Sequence, residues 1–545
     1  MPNYNNIDAV KGALKNKKVV LLILDGWGMS PAWSGNAITF SNPQYFNKIW
    51  RTYPHTVLQA FKNLLDKSGN VGNSEIGHAS IGTGRVVRQD ITEINEAIKQ
   101  GYFFQNPELI ATCRHVKKYK SKLHLIGMLS DGAIHSHIDH LFALLKLAKL
   151  EKINQVYIHV ICDGIDTPDR SAIRYVKQLN DFIAKNNIGK IVTLVGRFYA
   201  MDKSGNSERI KKTYELQTQG KGKIFNDAES ALKFYYSQNI FDAYIPPCVI
   251  SETNQPITIS DYDGIIFYNF RPDRASFLAS AYVDKNYPKN IFSGHKILKD
   301  IYPTTLTSYM LKPELRVSVA FPTTRIENNL SYLLSRAGLK QIHIAEAEKK
   351  AHVTYFFNGA NAQNYRNEDW AIVNSPNTIR YDQTPAMSSN KIADLVIRAI
   401  KNNKYQFIMA NFANVDMVAH TGNILATSDA VQIISNLLKK IIETDDNFTT
   451  IITADHGNAE QIIPYKTSSN KETFHTANPV PFIICEKGKE NNLKSAALHS
   501  QIDIKNLLET PYTLADVAPT ILELFGITKP QDMTGQSLLS KIGYK

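Results

Sequence analysis

The sequence predicts an α/β protein built on parallel sheets and divided into two or more domains. Three observations carry this. Seven continuous apolar runs each end in a polar loop. Amphipathic helical stretches lie between them. The chain, at 545 residues, exceeds what one core of ordinary size holds.

The runs come in order. KVVLLILDG opens the series and ends on Asp25. KLHLIGMLSDG, QVYIHVICDG, IVTLVGR and GIIFYNF follow in the middle of the chain, and FIMANFANVD and TTIITADHG come near its end. Each reads as a strand buried on both faces. IDHLFALLKLAKLEKI and SDAVQIISNLLKKIIE carry helical spacing, with helix starts expected at Asp139 and Ser428. In open α/β sheets chemistry gathers beyond the carboxyl ends of strands, so the polar endings are where functional residues are expected. Two segments read as crossings between domains, Arg85 to Ile91 and Val317 to Arg325. A middle domain between them begins and ends near one place, as an inserted domain must.

Composition excludes several classes. Hydrophobic residues make up 43% and charged residues 21%, as in ordinary globular proteins. Four widely spaced cysteines form no CxxC pair, which argues against a disulfide framework and fits a reducing, cytoplasmic compartment. No apolar run approaches the roughly 20 residues of a spanning helix, and the N-terminal stretch does not read as a signal peptide. No membrane role is expected. The net charge of +12 raises the question of nucleic acid, but the basic residues are scattered. A lysine-rich solvated surface or a small anionic substrate accounts for the charge, and no nucleic-acid partner is expected.

The segment VGNSEIGHASIGTGR, Val71 to Arg85, packs four glycines around Ser74. It reads either as a flexible surface loop or as a turn that exposes one hydroxyl. Elsewhere the polar strand endings assemble into metal-shaped sets. Asp416 and His420, four apart, share a helical face, and with His475 they form one plausible site. Asp25, Asp455 and His456 form a second, with Ser74 as its oxygen ligand. Any one of these aspartates alone reads as a cap or turn residue. Together they suit Mn²⁺, Zn²⁺ or a similar ion, and the scarcity of cysteine favours Mn²⁺. A cation would activate a serine hydroxyl without a histidine base. Ser74 at a helix start would also favour an incoming phosphate, although that position equally suits a plain N-cap. The pattern points to a two-metal hydrolase or transferase. FRPDR sets Arg271 and Arg274 three apart, suited to carboxylate or phosphate or else to an ion-pair network with Asp273. HSHIDH alone could be a metal cluster, and EAEKK alone is an ordinary charged run.

LILDGWG, GNSEIGH, LSDGAIHSH, LVGRFYAMD, FYNFRPDRA, EAEKKAHVTYFFNG, NFANVDMVAHTG, TADHGNAE and FHTANPVPF, in that order and across nearly the whole chain, resemble cofactor-independent phosphoglycerate mutase, of the alkaline phosphatase superfamily. The resemblance implies an alkaline-phosphatase-like α/β/α metal-binding domain, residues 1–87 and 319–545, split by an inserted α/β phosphotransferase domain, residues 88–318. It implies interconversion of 3-phosphoglycerate and 2-phosphoglycerate, in glycolysis and gluconeogenesis, through a phosphoserine and without 2,3-bisphosphoglycerate. The alternative kept open is a metal-dependent phosphomonoesterase.

The resemblance also implies two divalent ions, Mn²⁺ foremost, with Mg²⁺, Co²⁺ or Zn²⁺ as alternatives, and a monomer. One ion would be held by Asp416, His420 and His475, the other by Asp25, Ser74, Asp455 and His456. Ser74 would carry the phosphate and Lys349 would contact the phosphoryl group. His135, Asp166, Arg197, Lys203, Arg271 and Arg274 would bind substrate, with Asp166 as acid and base for the glycerate hydroxyls. Two stretches depart from the pattern. Ile165 stands where the family usually carries a substrate-binding arginine, so either Arg170 or another basic residue compensates, or affinity and substrate choice have changed. AFKNLLDKSGNVGNSE differs from the family's version rich in small residues.

Overall fold

A computed structural model describes residues 17–60, 72–202, 206–284, 287, 298–309, 311–312, 314–378, 380–462, 475–490 and 510–544. The chain divides into two compact units, residues 1–87 with 324–545, and residues 88–323. The strand Ser318–Phe321 pairs in parallel with Tyr302–Thr307, so its hydrogen bonds keep it in the second unit and move the expected boundary at residue 318 onward to 323.

The first unit carries a seven-stranded sheet. From edge to edge its strands are Glu368–Val373, Gln341–Glu346, Phe407–Phe412, Val19–Leu24, Thr449–Thr453, Val480–Cys485 and His55–Leu58. The first five are mutually parallel; Val480–Cys485 runs antiparallel to both neighbours. The six residues of Val19–Leu24 are all fully buried. Burial on both faces is why the strand reads as a continuous apolar run, each large side chain contributing about 1.5–3 kcal/mol. Register places the functional loops. Leu24 pairs with Phe412 and Ile23 with Thr453, so the residues after these three strands leave the sheet almost level.

The second unit carries an eight-stranded sheet: Ser318–Phe321, Tyr302–Thr307, Gly264–Phe267, Leu123–Met128, Val156–Cys162, Lys190–Gly196, Cys248–Ile250 and Lys223–Phe225. The first six strands are parallel, and Cys248–Ile250 pairs antiparallel with Lys190–Gly196. Alternate side chains feed two cores. Leu123 and Leu125 join one, Ile126 and Met128 the other, so helices cover both faces.

All seven apolar runs form strands. The helix Ile138–Leu150 starts one residue before Asp139, with His137 as its cap. The helix expected from Ser428 runs Ile424–Ile442 instead. Asn423 caps it by accepting from the Ala426 N–H, and exposed Leu425 hides this first turn from the apolar pattern. Among the described residues no helix is long and apolar enough to cross a membrane.

Candidate active site

Four adjacent parallel strands of the first unit deliver the site from one edge. Asp25 follows Val19–Leu24, Asp416 and His420 follow Phe407–Phe412, Asp455 and His456 follow Thr449–Thr453, and Lys349 follows Gln341–Glu346. His475 lies just ahead of antiparallel Val480–Cys485, which starts at the same end. Ser74 opens the helix Ser74–Thr83, but it is not the cap. Asn73 performs that task, its side chain accepting from the Ile76 N–H at 2.9 Å. The Ser74 hydroxyl is thereby left for other partners. Gly77 lets this helix press onto the Asp455 loop, since a Cβ there would lie 2.5 Å from the Asp455 carbonyl oxygen. Gly26, at φ +74°, turns the chain beside Asp416, whose Cβ an added methyl would meet at 2.8 Å.

The distances are short throughout. Lys349 Nζ donates to Asp25 Oδ1 at 2.8 Å, to Ser74 Oγ at 2.8 Å and to Asp416 Oδ2 at 2.9 Å. Ser74 Oγ lies 2.9 Å from His456 Nε2 and 3.4 Å from Asp25 Oδ1. Asn411 donates to Asp25 Oδ2, and Asn458 to Asp416 Oδ1, each at 2.8 Å. His78 Nδ1 accompanies Asp455 Oδ2 at 3.2 Å.

Two groups have metal-ligand composition, with ligand atoms mutually within 4.8 Å: Asp416 with His456 and His475, and Asp25 with Asp455 and His456. His420 Nε2 adds to the first, 3.0 Å from His475 Nε2 and 3.4 Å from Asp416 Oδ1. Such spacings suit lone pairs that converge on one ion. Charge fits as well. Asp25, Asp416 and Asp455 are buried, and the Lys349 ammonium pairs with the first two and feels the charge of the third. Burial, then the Asp455 charge, raises Asp25 to about 6. Burial opposes ionisation of Asp416 too, yet Lys349 and His420 hold its carboxyl well below the usual range. Burial works against the Lys349 ammonium, but Asp25, Asp416 and Asp455 outweigh it and push the pKa up. Burial lowers His456 and His475, which keeps their nitrogen lone pairs available. Asp455 Oδ2 makes no hydrogen bond of good geometry. These residues therefore fit divalent cations.

The second unit gathers its own polar cluster at strand ends. Arg197 Nη1 donates to Asp163 Oδ1 at 2.6 Å and to Asp166 Oδ2 at 2.7 Å. His135 Nε2 lies 3.9 Å from Asp166 Oδ2, and its Nδ1 lies 3.4 Å from Asp273 Oδ1. Arg271 and Arg274 flank Asp273 at 3.7 and 3.9 Å. The buried atoms His135 Nδ1, Arg197 Nε and Arg274 Nε make no hydrogen bond of good geometry. Donors in that condition suit an anionic ligand. Lys203 and residues 61–71 lie outside the described residues. Ile165 is exposed, and exposed Arg170 stacks on Phe241 at 4.2 Å.

Sequence reasoning did not single out Asn411, Asn458 or Asp163, although each lies within a segment it used. Their partners are distant in the chain, Asp25 being 386 residues from Asn411. The one local signal is that each is a polar residue within or just after an apolar strand.

A serine at a helix start, backed by an ammonium and two carboxylate–imidazole groups at the strand ends of a mostly parallel sheet, defines a metal-dependent α/β enzyme that works on phosphate or similar esters. Comparison with known proteins narrows this. Residues 94–311 match the family model described as BPG-independent PGAM N-terminus. The chain is 40% identical over 535 residues to the 2,3-bisphosphoglycerate-independent phosphoglycerate mutase of Acetivibrio thermocellus, covering 97% of this chain and all of that one. It is 41% identical over 531 residues to the enzyme of the same name from Synechococcus sp., covering 96% of each. A crystal structure of Leishmania mexicana phosphoglycerate mutase at low cobalt concentration aligns with a TM-score of 0.73 and 27% identity, covering 95% of this chain and 97% of that one. The chain belongs to the 2,3-bisphosphoglycerate-independent phosphoglycerate mutase family, and its fold is the α/β one the sequence resemblance implied.

Proposed function

We propose that this chain carries out its family's isomerisation, 3-phosphoglycerate to 2-phosphoglycerate, by passing the phosphoryl group through Ser74. The observation that supports it most is the placement of Ser74 Oγ, within 3 Å of both Lys349 Nζ and His456 Nε2 on a helix whose capping is done by Asn73. Asp416, His420 and His475 would hold one divalent ion, Mn²⁺ by preference, and Asp25, Ser74, Asp455 and His456 another. Bound ions would lower the pKa of the serine hydroxyl and offset charge on the phosphoryl oxygens.

The protein's own groups do the rest. Lys349 steadies Ser74 and offers its ammonium to the phosphoryl oxygens. His135, Arg197, Lys203, Arg271 and Arg274 bind the carboxylate and hydroxyl groups of the glycerate. The ionised Ser74 oxygen bonds to phosphorus while the ester P–O bond breaks, and protonated Asp166 gives its proton to the departing glycerate oxygen. Asp166 then takes the proton from the other hydroxyl, which attacks phosphoserine and frees Ser74. Residues 88–323 thus act as the phosphotransferase and substrate domain, and the metal-binding domain is split around it. Four buried, unpaired cysteines support a cytoplasmic setting. The family resemblance alone supports a monomer.

The test is turnover of metal-stripped protein on 3-phosphoglycerate without 2,3-bisphosphoglycerate, with Mn²⁺, Mg²⁺, Co²⁺ or Zn²⁺ added singly. Metal-dependent 2-phosphoglycerate with little free phosphate is expected. Release of phosphate in its place would make the chain a phosphomonoesterase and overturn the reading.

A further inference from the structure

Glu460 is a fully buried acid that the mechanism does not use. Its carboxylate accepts four hydrogen bonds from three separate loops. Oε2 takes the Gly28 N–H at 3.2 Å and the Asn458 N–H at 2.8 Å. Oε1 takes the Thr476 hydroxyl and, at 3.0 Å, the Asn478 amide. Each loop carries proposed metal ligands within three residues of its contact: Asp25 before Gly28, Asp455 and His456 before Asn458, His475 before Thr476.

The seat is shaped for this carboxylate. A Cβ on Gly28 would lie 2.2 Å from Glu460 Cδ, and one on Gly457 would lie 2.3 Å from both Glu460 Oε1 and Thr476 Oγ1. An ionised carboxylate has about four lone-pair sites, and here four donors fill them. None remains for a cation, even though the residue sits among cation ligands. Its neighbours cannot all be satisfied by an isosteric amide, since one oxygen would become an NH₂ facing two donors.

We propose that Glu460 is a positioning residue that fastens the loops of Asp25, of Asp455 and His456, and of His475 into one metal-binding arrangement without binding metal itself. This rests on the reading of those residues as ligands in the preceding subsection. Groups that orient metal ligands typically change affinity by about 10–100-fold when altered.

The experiment is calorimetric titration of Mn²⁺ into the metal-stripped full chain, wild type against Glu460→Gln, Gly28→Ala and Asp416→Asn, with the melting temperature of each metal-free protein measured alongside. G28A crowds the carboxylate while keeping its charge, and Gly28 does not occupy the left-handed backbone region. Expected are affinities for at least one ion about 10–100-fold weaker in E460Q and G28A, beyond the fall in metal-free melting that crowding or unpairing the buried seat brings. Wild-type affinity in both variants would overturn the proposal, while a loss confined to D416N would leave the ligand reading standing. Lower melting with unchanged affinity of the folded fraction would also overturn it, since that is what packing alone predicts. If D416N binds as wild type does, the ligand reading itself fails. Should E460Q not fold, Thr476→Val, which removes one donor and spares the carboxylate, carries the same comparison with G28A.

Discussion

The two units solve one topological problem and arrive at opposite electrostatics. Both place their polar clusters after the carboxyl ends of adjacent parallel strands. In the first unit, three buried aspartates face one lysine, and the excess negative charge calls for cations. In the second, Asp163, Asp166 and Asp273 face Arg197, Arg271 and Arg274, so charge is balanced, while buried nitrogens of His135, Arg197 and Arg274 make no hydrogen bond of good geometry. On the proposed function that cluster takes the anionic substrate. One architecture therefore gathers an acid-rich cluster and a charge-balanced one. The difference lies in which residue types follow the strands, and mutation can separate the two.

The largest expected effect is Ser74→Ala. It should reduce turnover by on the order of 10⁴-fold or more, because no other group supplies the phosphorus-bound oxygen. Intact-mass measurement after mixing with substrate should show a phosphoryl adduct in wild type and none in the variant. An adduct persisting in S74A would move the nucleophile elsewhere and break the comparison at its root.

Metal removal comes next. Chelation should abolish turnover, and adding Mn²⁺ at about 100 times its dissociation constant should restore it and stabilise the chain by about 2.7 kcal/mol per ion. Thermal melting with and without chelator measures this. Equal melting in both conditions would mean that the acidic cluster is not a cation seat.

Arg271→Ala probes the other cluster. Arg271 is partly exposed, and its substitution should leave metal affinity and melting unchanged while raising KM by about 10–100-fold. Steady-state kinetics in saturating metal separates this from a loss of kcat. A fall in metal affinity would show that the two clusters are not independent.

The two clusters also differ in how readily the sequence disclosed them. The strands were legible because burial on both faces leaves an unbroken apolar run, and residues just past such runs lie at the sheet edge by necessity. Asp25, Asp416, Asp455 and His456 could therefore be grouped from pattern. Lys349 could not: EAEKK looks like a solvated charged run, and only the family resemblance marked it, yet the side chain is buried among three carboxylates. His135, Asp166 and Arg197 likewise needed the resemblance. Glu460 stayed hidden because its partner Gly28 lies 432 residues away and nothing local distinguishes it from a surface glutamate. The start of the helix Ile424–Ile442 was misplaced for the opposite reason, a local one: an exposed leucine interrupts the periodicity just where Asn423 caps it.

The smallest effect asks whether buried negative charge in the first unit is confined to the metal cluster. Glu346 ends the strand that leads to Lys349. Burial raises its pKa to about 7 from an ordinary 4.5, against the opposing Ser388 N–H at 2.9 Å and the nearby Ser375 and Lys391, with Glu348 adding to the rise. The folded chain therefore holds a proton that the unfolded chain has lost between those values. Stability from this group is present below about 4.5 and is lost as pH rises toward about 7. Glu346→Gln should flatten that decline in the metal-free protein and stabilise it at pH 8 by about 1–3 kcal/mol, read by urea denaturation across the range. A decline that survives E346Q unchanged would belong instead to Asp25, which burial and Asp455 raise to about 6, or to Asp242, which burial raises to about 6. Bound Mn²⁺ should remove an Asp25 decline, whereas one from Asp242 or Glu346 should persist in the metal-loaded protein.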